Sequence, residues 1–325
     1  MKINRILAAF LAVLMMLAVL VSCGKEDETV LSIGGFDVPY HVYRYIAVNS
    51  RRDVEAQFGE DVWSSDKADE ARAILEGNVK DSLLNLYTVC SLGADFGVSW
   101  SDDVVSAQAE LQYQSAVAEY ENEREFKKSL EEMAMTEDTF RFILSNSILN
   151  NEAYAAMIAS DKKYTDKEYL QDIFDGDEFI RVKQILVGDA YSASDEAKLE
   201  KAQDIKASLD AGEDFDDLCR AFNNDLYMFE NDDGYYIMRG TRNFEFEEAA
   251  FALAVGETGD IVKTDVGYSI IKRYEKDAEY IAENFDALAA EYYESVYSIM
   301  YEERYEKLSG ELKSLPEAYD VTEIE

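Results

Sequence analysis

The stretch Phe179-Ile-Arg-Val-Lys-Gln-Ile-Leu-Val187 is a β-branched run of strand length, and it opens the segment to Lys272 on which the fold turns. Ala202, Ile205 and Leu209 follow at helical spacing, with a stop at Gly212. Phe215, Leu218, Cys219 and Phe222 mark one face of a second, short helix. A polar, Gly-containing loop is expected from Asn223 to Asn243. Phe246, Ala249, Ala250 and Leu253 repeat the helical spacing and end at Gly256-Glu257. Ile261-Val-Lys-Thr264, a turn at Asp265-Val-Gly267 and Tyr268-Ser-Ile-Ile-Lys-Arg273 read as two closing strands. The expected order is β, α, α, α, β, β, one small α+β domain.

Those words resemble the parvulin (PpiC-type) family of peptidyl-prolyl isomerases. They are Gln184-Ile-Leu-Val187, Gly212-Glu-Asp-Phe215, Phe246-Glu-Glu-Ala-Ala-Phe251-Ala-Leu253, Gly256-Glu257 and Gly267-Tyr-Ser-Ile-Ile-Lys272. The resemblance implies a site of two histidines flanking a central Cys or Asp, with Met and Phe forming a proline pocket. Carried over residue by residue, the histidine positions fall on Gln184 and Ser269, and the central position on Asp225. The pocket Phe falls on Phe246 and the pocket Met on Arg242, with Met238 close by; Thr264 matches a threonine before the last turn, and Phe251 joins the candidate substrate contacts. Asp225, Phe246 and Thr264 keep the family residue, whereas both histidine positions and the Met position depart from it.

The chemistry asks for little. Rotation about a peptide bond faces a barrier of about 18–20 kcal/mol, and unaided X-Pro isomerisation is slow. A pocket that holds the proline ring and desolvates the amide, with placed hydrogen bonds, needs no nucleophile or cofactor. Gln184 supplies a neutral donor or acceptor, and Ser269 is short.

At the N-terminus, Met1-Lys2-Ile-Asn-Arg5 is a basic start, and Ile6 to Val21 is an apolar run of 16 residues. A spanning helix needs about 20, so the run suits a signal segment. Leu20-Val21-Ser22-Cys23 then resembles a bacterial lipobox, with Cys23 the lipidated residue. The expected divisions are a signal peptide over 1–22, a helical region over 23–177, the parvulin-like domain over 178–276 and a C-terminal helix over 277–325.

The 325 residues carry a formal charge of −37 and are 48% hydrophobic. A packed core follows, and binding of nucleic acid through a basic face is excluded. Thr29-Val-Leu-Ser-Ile33-Gly34-Gly35-Phe36-Asp-Val38 reads as a hairpin, and Pro39 leads into a helix at Tyr40. Leu75, Val79, Leu83, Leu86 and Cys90 form an amphipathic face. Asp102 to Met133 reads as a long helix or a helical pair, and Ser99-Trp-Ser-Asp102 and Thr165-Asp-Lys-Glu168 as capping boxes. Ile281 to Leu312 forms one helical stripe, stopped at Pro316. The whole arrangement resembles PrsA-type foldase lipoproteins and SurA-type chaperones. It implies a mostly helical chaperone-like domain, built from the N- and C-terminal segments, with an α+β domain inserted.

His41 is the only histidine, so His-based metal sites and Ser-His-Asp triads lack material, and it reads as structural. No metal or cofactor is expected; Asp232-Asp233 reads as a solvated loop, and Cys90 and Cys219 as buried free thiols. The expected function is a lipid-anchored, extracytoplasmic bacterial folding factor acting on newly exported, unfolded polypeptides. In that reading its parvulin-like domain is kept as a client-binding module. The alternative is an active prolyl isomerase. A remote alternative, a lipid-anchored solute-binding protein, predicts long alternating β/α units that the chain lacks.

Overall fold

The computed structural model describes residues 28–231 and 233–324, so the signal and lipobox readings, Cys23 included, lie outside the described residues. The chain divides into two compact units, one of residues up to Met157 together with Tyr301–Glu325, the other Ile158–Met300. The protein is mostly helical, with an α+β domain inserted.

In the first unit, β1 (Thr29–Ile33) and β2 (Phe36–Pro39) pair antiparallel across Gly34 and Gly35, both at positive φ. Helices α1 (Tyr40–Phe58), α2 (Ala68–Asp95), α3 (Asp103–Ala118), α4 (Glu123–Glu132) and α5 (Glu137–Ser160) follow. The 102–133 segment is therefore a pair, and Asn122 caps its second member by accepting from the Glu125 amide. Asp102 turns back to Ser99, accepting from its amide and hydroxyl at 2.9 and 2.8 Å, instead of capping α3. The core gathers Tyr43, Leu75, Val79, Leu83 and Tyr87 with Leu308, Val321 and Ile324 of the C-terminal segment. Arg304 donates to the Ser91 carbonyl at 3.0 Å and Tyr305 to Asp81 at 3.0 Å, tying that segment to α2. His41 Nδ1 lies 3.0 Å from Thr139 Oγ1, a contact between α1 and α5.

The second unit starts with α6 (Lys167–Asp175), capped by Asp166 and not Thr165: the Asp166 carboxylate accepts from the amides of Glu168 and Tyr169. Then come β3 (Phe179–Gly188), α7 (Asp195–Asp210), α8 (Phe215–Phe222), α9 (Leu226–Glu230), β4 (Tyr235–Met238), α10 (Phe244–Ala252), β5 (Thr258–Thr264) and β6 (Gly267–Tyr274). The sheet order is β4-β3-β6-β5, antiparallel throughout. The expected loop at 223–243 thus holds a short helix and a whole edge strand. The C-terminal stripe is also two helices, α11 (Ala278–Glu283) and α12 (Phe285–Glu311).

Register sorts the sheet faces. Gln184 pairs with Ile271, Leu186 with Ser269 and Val182 with Tyr235, so all six lie on one face, where α10 packs. The other face carries Lys183, Tyr268 and Tyr274, which meet α7 and α8 through Asp216 and Asp195. Further along that face, Phe179, Tyr236 and Met238 pack with Leu170, Phe174, Ile281 and Leu288.

Cys90 and Cys219 are free and buried, and burial pushes both thiols up to about 11. The thiolate is the nucleophile. In a Cys23→Ser chain, alkylation of both native thiols by iodoacetamide at pH 8 should run about two orders of magnitude slower than for a free thiol of pKa about 8.5. The rate should climb until pH nears 11; fast labelling at pH 8 in the folded state would contradict this.

Gly267 opens β6 at φ +138°, and a Cβ there would stand 2.4 Å from the Val187 carbonyl oxygen. Gly267→Ala should destabilise the chain by about 1–3 kcal/mol. A denaturant midpoint equal to that of the wild type would refute the steric argument.

Candidate active site

Each strand of the sheet delivers a polar residue to a cleft on the α10 face: Tyr235 from β4, Gln184 from β3, Ser269 from β6 and Thr264 from β5. They line a cleft of about 380 Å³ with Thr241, Arg242, Asn243, Phe246, Asp265 and Val266. Phe246, buried on α10, supplies the aromatic wall.

Asp225 reaches this face because β4 is short. It covers the edge of β3 only from Phe179 to Val182. Beyond it, the Asn223 side chain accepts from the Leu186 amide at 2.8 Å, and that of Asn224 from the Gly188 amide at 3.0 Å. The Asn224 amide in turn donates to the Leu186 carbonyl at 2.9 Å. Two asparagines thus satisfy an edge that would otherwise need a strand. They set the next residue, Asp225, beside Gln184.

The polar groups form one chain. Ser269 Oγ donates to Gln184 Oε1 at 2.8 Å, and Gln184 Nε2 donates to Asp225 Oδ2 at 2.6 Å. Tyr235 donates to the same Oδ2 at 2.6 Å, and Asp225 Oδ1 caps α9 by accepting from the Tyr227 amide at 3.0 Å. Burial, then the bond to Asp225, raises the Tyr235 phenol above its usual value, so it stays a donor through the neutral range.

The sequence-predicted residues divide accordingly. The structure brings Gln184, Asp225 and Ser269 together, with Arg242, Phe246 and Thr264 lining the same cleft. Met238 is not part of it: it pairs with Phe179 and packs into the core on the opposite face. Phe251 also lies elsewhere, packed against the domain core with the Arg239 guanidinium 4.5 Å from its ring centre. Arg242 sits on the rim with its guanidinium carbon 4.3 Å from the Tyr235 ring centre, a cation–π placement. Asp233 is no free loop residue, since Arg181 donates to its carbonyl and carboxylate at 2.7 and 3.1 Å.

Sequence reasoning missed Tyr235 and Glu247. The signal for Tyr235 was a turn-forming Asp233-Gly234 before an aromatic and β-branched run. Glu247 is buried on α10, and its carboxylate accepts from the amides of Gly240, Thr241 and Arg242 at 2.9, 2.8 and 2.7 Å. It fixes the loop that carries Arg242. Glu247→Ala leaves those amides without their acceptor and should cost about 2–4 kcal/mol of stability. Urea unfolding of the full chain checks this; a cost under about 0.5 kcal/mol would mean that water replaces the carboxylate freely.

Residues 179–275 match the family model of the Rotamase, PPIC-type PPIASE domain. The chain is similar to the foldase protein PrsA of Caldanaerobacter subterraneus, 27% identical over 83% of this chain and 82% of that protein. It is 41% identical to the PrsA of Geobacillus kaustophilus over 36% of this chain and 39% of that one. Among solved structures, peptidylprolyl isomerase (PrsA) from Bacillus anthracis aligns with 72% of this chain and 98% of its own, at 21% identity and a TM-score of 0.38.

Proposed function

We propose that this chain, which carries a PPIC-type rotamase domain, is a foldase that binds non-native exported polypeptides and isomerises X-Pro bonds in the cleft beside Asp225. One observation carries the reading. The unbroken hydrogen-bond chain Ser269–Gln184–Asp225–Tyr235 lies along a cleft walled by Phe246. Peptide rotation transfers no proton, so a site can dispense with titrating imidazoles if its dipoles are fixed in advance. Phe246 offers the proline ring an apolar surface, and the chain offers oriented polar groups to the twisting amide. Similarity to PrsA proteins along most of the sequence supports the foldase class and its polypeptide clients. Export and a lipid anchor at Cys23 belong to the same proposal, and rest on the resemblance to a lipobox at Leu20-Val21-Ser22-Cys23.

A second reading is binding without catalysis. It is favoured by the presence of Gln184 and Ser269 at the histidine positions, and of the charged Arg242 at the position of the apolar Met. Proline cis/trans exchange on a short model peptide, measured with the purified full chain lacking residues 1–22, separates the two. The catalytic reading expects acceleration that falls about tenfold or more in Asp225→Ala. A folded but inert wild-type chain that gains activity as Gln184→His/Ser269→His would decide for binding alone.

A further inference from the structure

Tyr235 stands in the cleft without a role assigned from sequence. Its ring is nearly buried, stacks on Tyr227 at 4.6 Å and 12°, and lies under the Arg242 guanidinium at 4.3 Å. The ring position is reinforced from behind. Gly234, at φ +79°, brings the backbone so close to Val182 that a Cβ would stand 2.5 Å from its carbonyl oxygen.

The proton order in the network follows from Asp225. An ionised carboxylate only accepts, so Gln184 turns its amide nitrogen toward Oδ2 and its oxygen toward Ser269, which then donates. Gln184 Nε2 carries two hydrogens, and only one is used by Asp225. The second has no protein acceptor among the described residues, on a side chain that lines the cleft. Left with Gln184 alone, the Asp225 carboxylate would be held at Oδ2 by a single donor on a flexible side chain. Tyr235 supplies the second donor from a rigid ring.

We propose that Tyr235 is a positioning residue. By sharing Asp225 Oδ2 with Gln184, it fixes the amide so that the free N–H of Gln184 faces the carbonyl of a bound X-Pro segment. The inference rests on the isomerase reading for its catalytic consequence, and not for its geometry.

Tyr235→Phe removes one hydroxyl and keeps the ring. Two measurements on the full chain lacking residues 1–22 test the proposal. The first is ¹H–¹⁵N NMR of the Gln184 side-chain amide: losing the Tyr235 hydroxyl loosens the carboxylate that orients it, so its Nε2 protons should exchange with solvent about tenfold faster. The second is peptide exchange, where kcat/KM should drop about tenfold with KM little changed. An unmoved Gln184 amide exchange rate overturns the proposal, whatever happens to the isomerisation rate. A wild-type chain that does not accelerate isomerisation, but whose Gln184 amide loosens with Tyr235→Phe, refutes the isomerase reading and keeps the positioning role. Should Tyr235→Phe fail to fold, 3-fluorotyrosine at position 235 makes a stronger donor and should slow the Gln184 amide exchange; a rate that stays put or rises overturns the proposal equally.

Discussion

The second unit depends on the register of its central strand pair. From Arg181 opposite Tyr274 to Gly188 opposite Gly267, β3 and β6 stay in step for eight pairs. The side-chain period of a strand is two, so a slip of one residue would send Gln184 and Ser269 to opposite faces. It would also bring the polar Gln184 or Ser269 to the face where Ile185 and Ile270 are buried. Burial holds the register from one side of the sheet. Gly267 holds it at the end, because its missing side chain permits the close approach to Val187. The cleft is thus a by-product of a register fixed by the hydrophobic core.

This explains what could be read in the chain. The long strands and helices of the inserted domain carry strong periodicity, and β3, α7, α8, α10, β5 and β6 were all legible. The motifs around Gln184, Asp225, Ser269 and Phe246 singled those residues out, and the fold places them together. What escaped was local and short. β4 has four residues behind a polar stretch, too few to show alternation. The turn before it, Asp233-Gly234, merges in sequence with the loop it ends. Glu247 looked like one acid among many, and only its burial against three backbone amides sets it apart. Met238 failed as a pocket residue for a reason of parity: it is three residues on from Tyr235, so it faces the other side of the sheet. The Thr165 capping box missed by one residue, since Asp166 caps α6, while Asp102 keeps the return bond of a box to the Ser99 amide without capping α3.

Arg242 carries its charge at the rim of the cleft. A guanidinium inside an apolar proline pocket would be costly. Arg242 is instead an exposed rim residue, laid over the Tyr235 ring. Its backbone amide is anchored by Glu247, so the side chain leaves from a fixed point. The buried aromatic wall of the cleft is Phe246.

The four polar residues of the cleft are therefore one linked set. Asp225 can only accept, so its neighbours must donate. A glutamine at 184 does so while passing its oxygen to position 269, which then needs a donor, and the Ser269 hydroxyl is one. A tyrosine at 235 fills the remaining lobe of Oδ2 and gives Arg242 an aromatic face. Changing one member alone would leave a buried donor or acceptor without its partner, a loss larger than the net gain from making a typical hydrogen bond. That asymmetry gives a physical reason for these four residue types to occur together, whichever rate the cleft sustains.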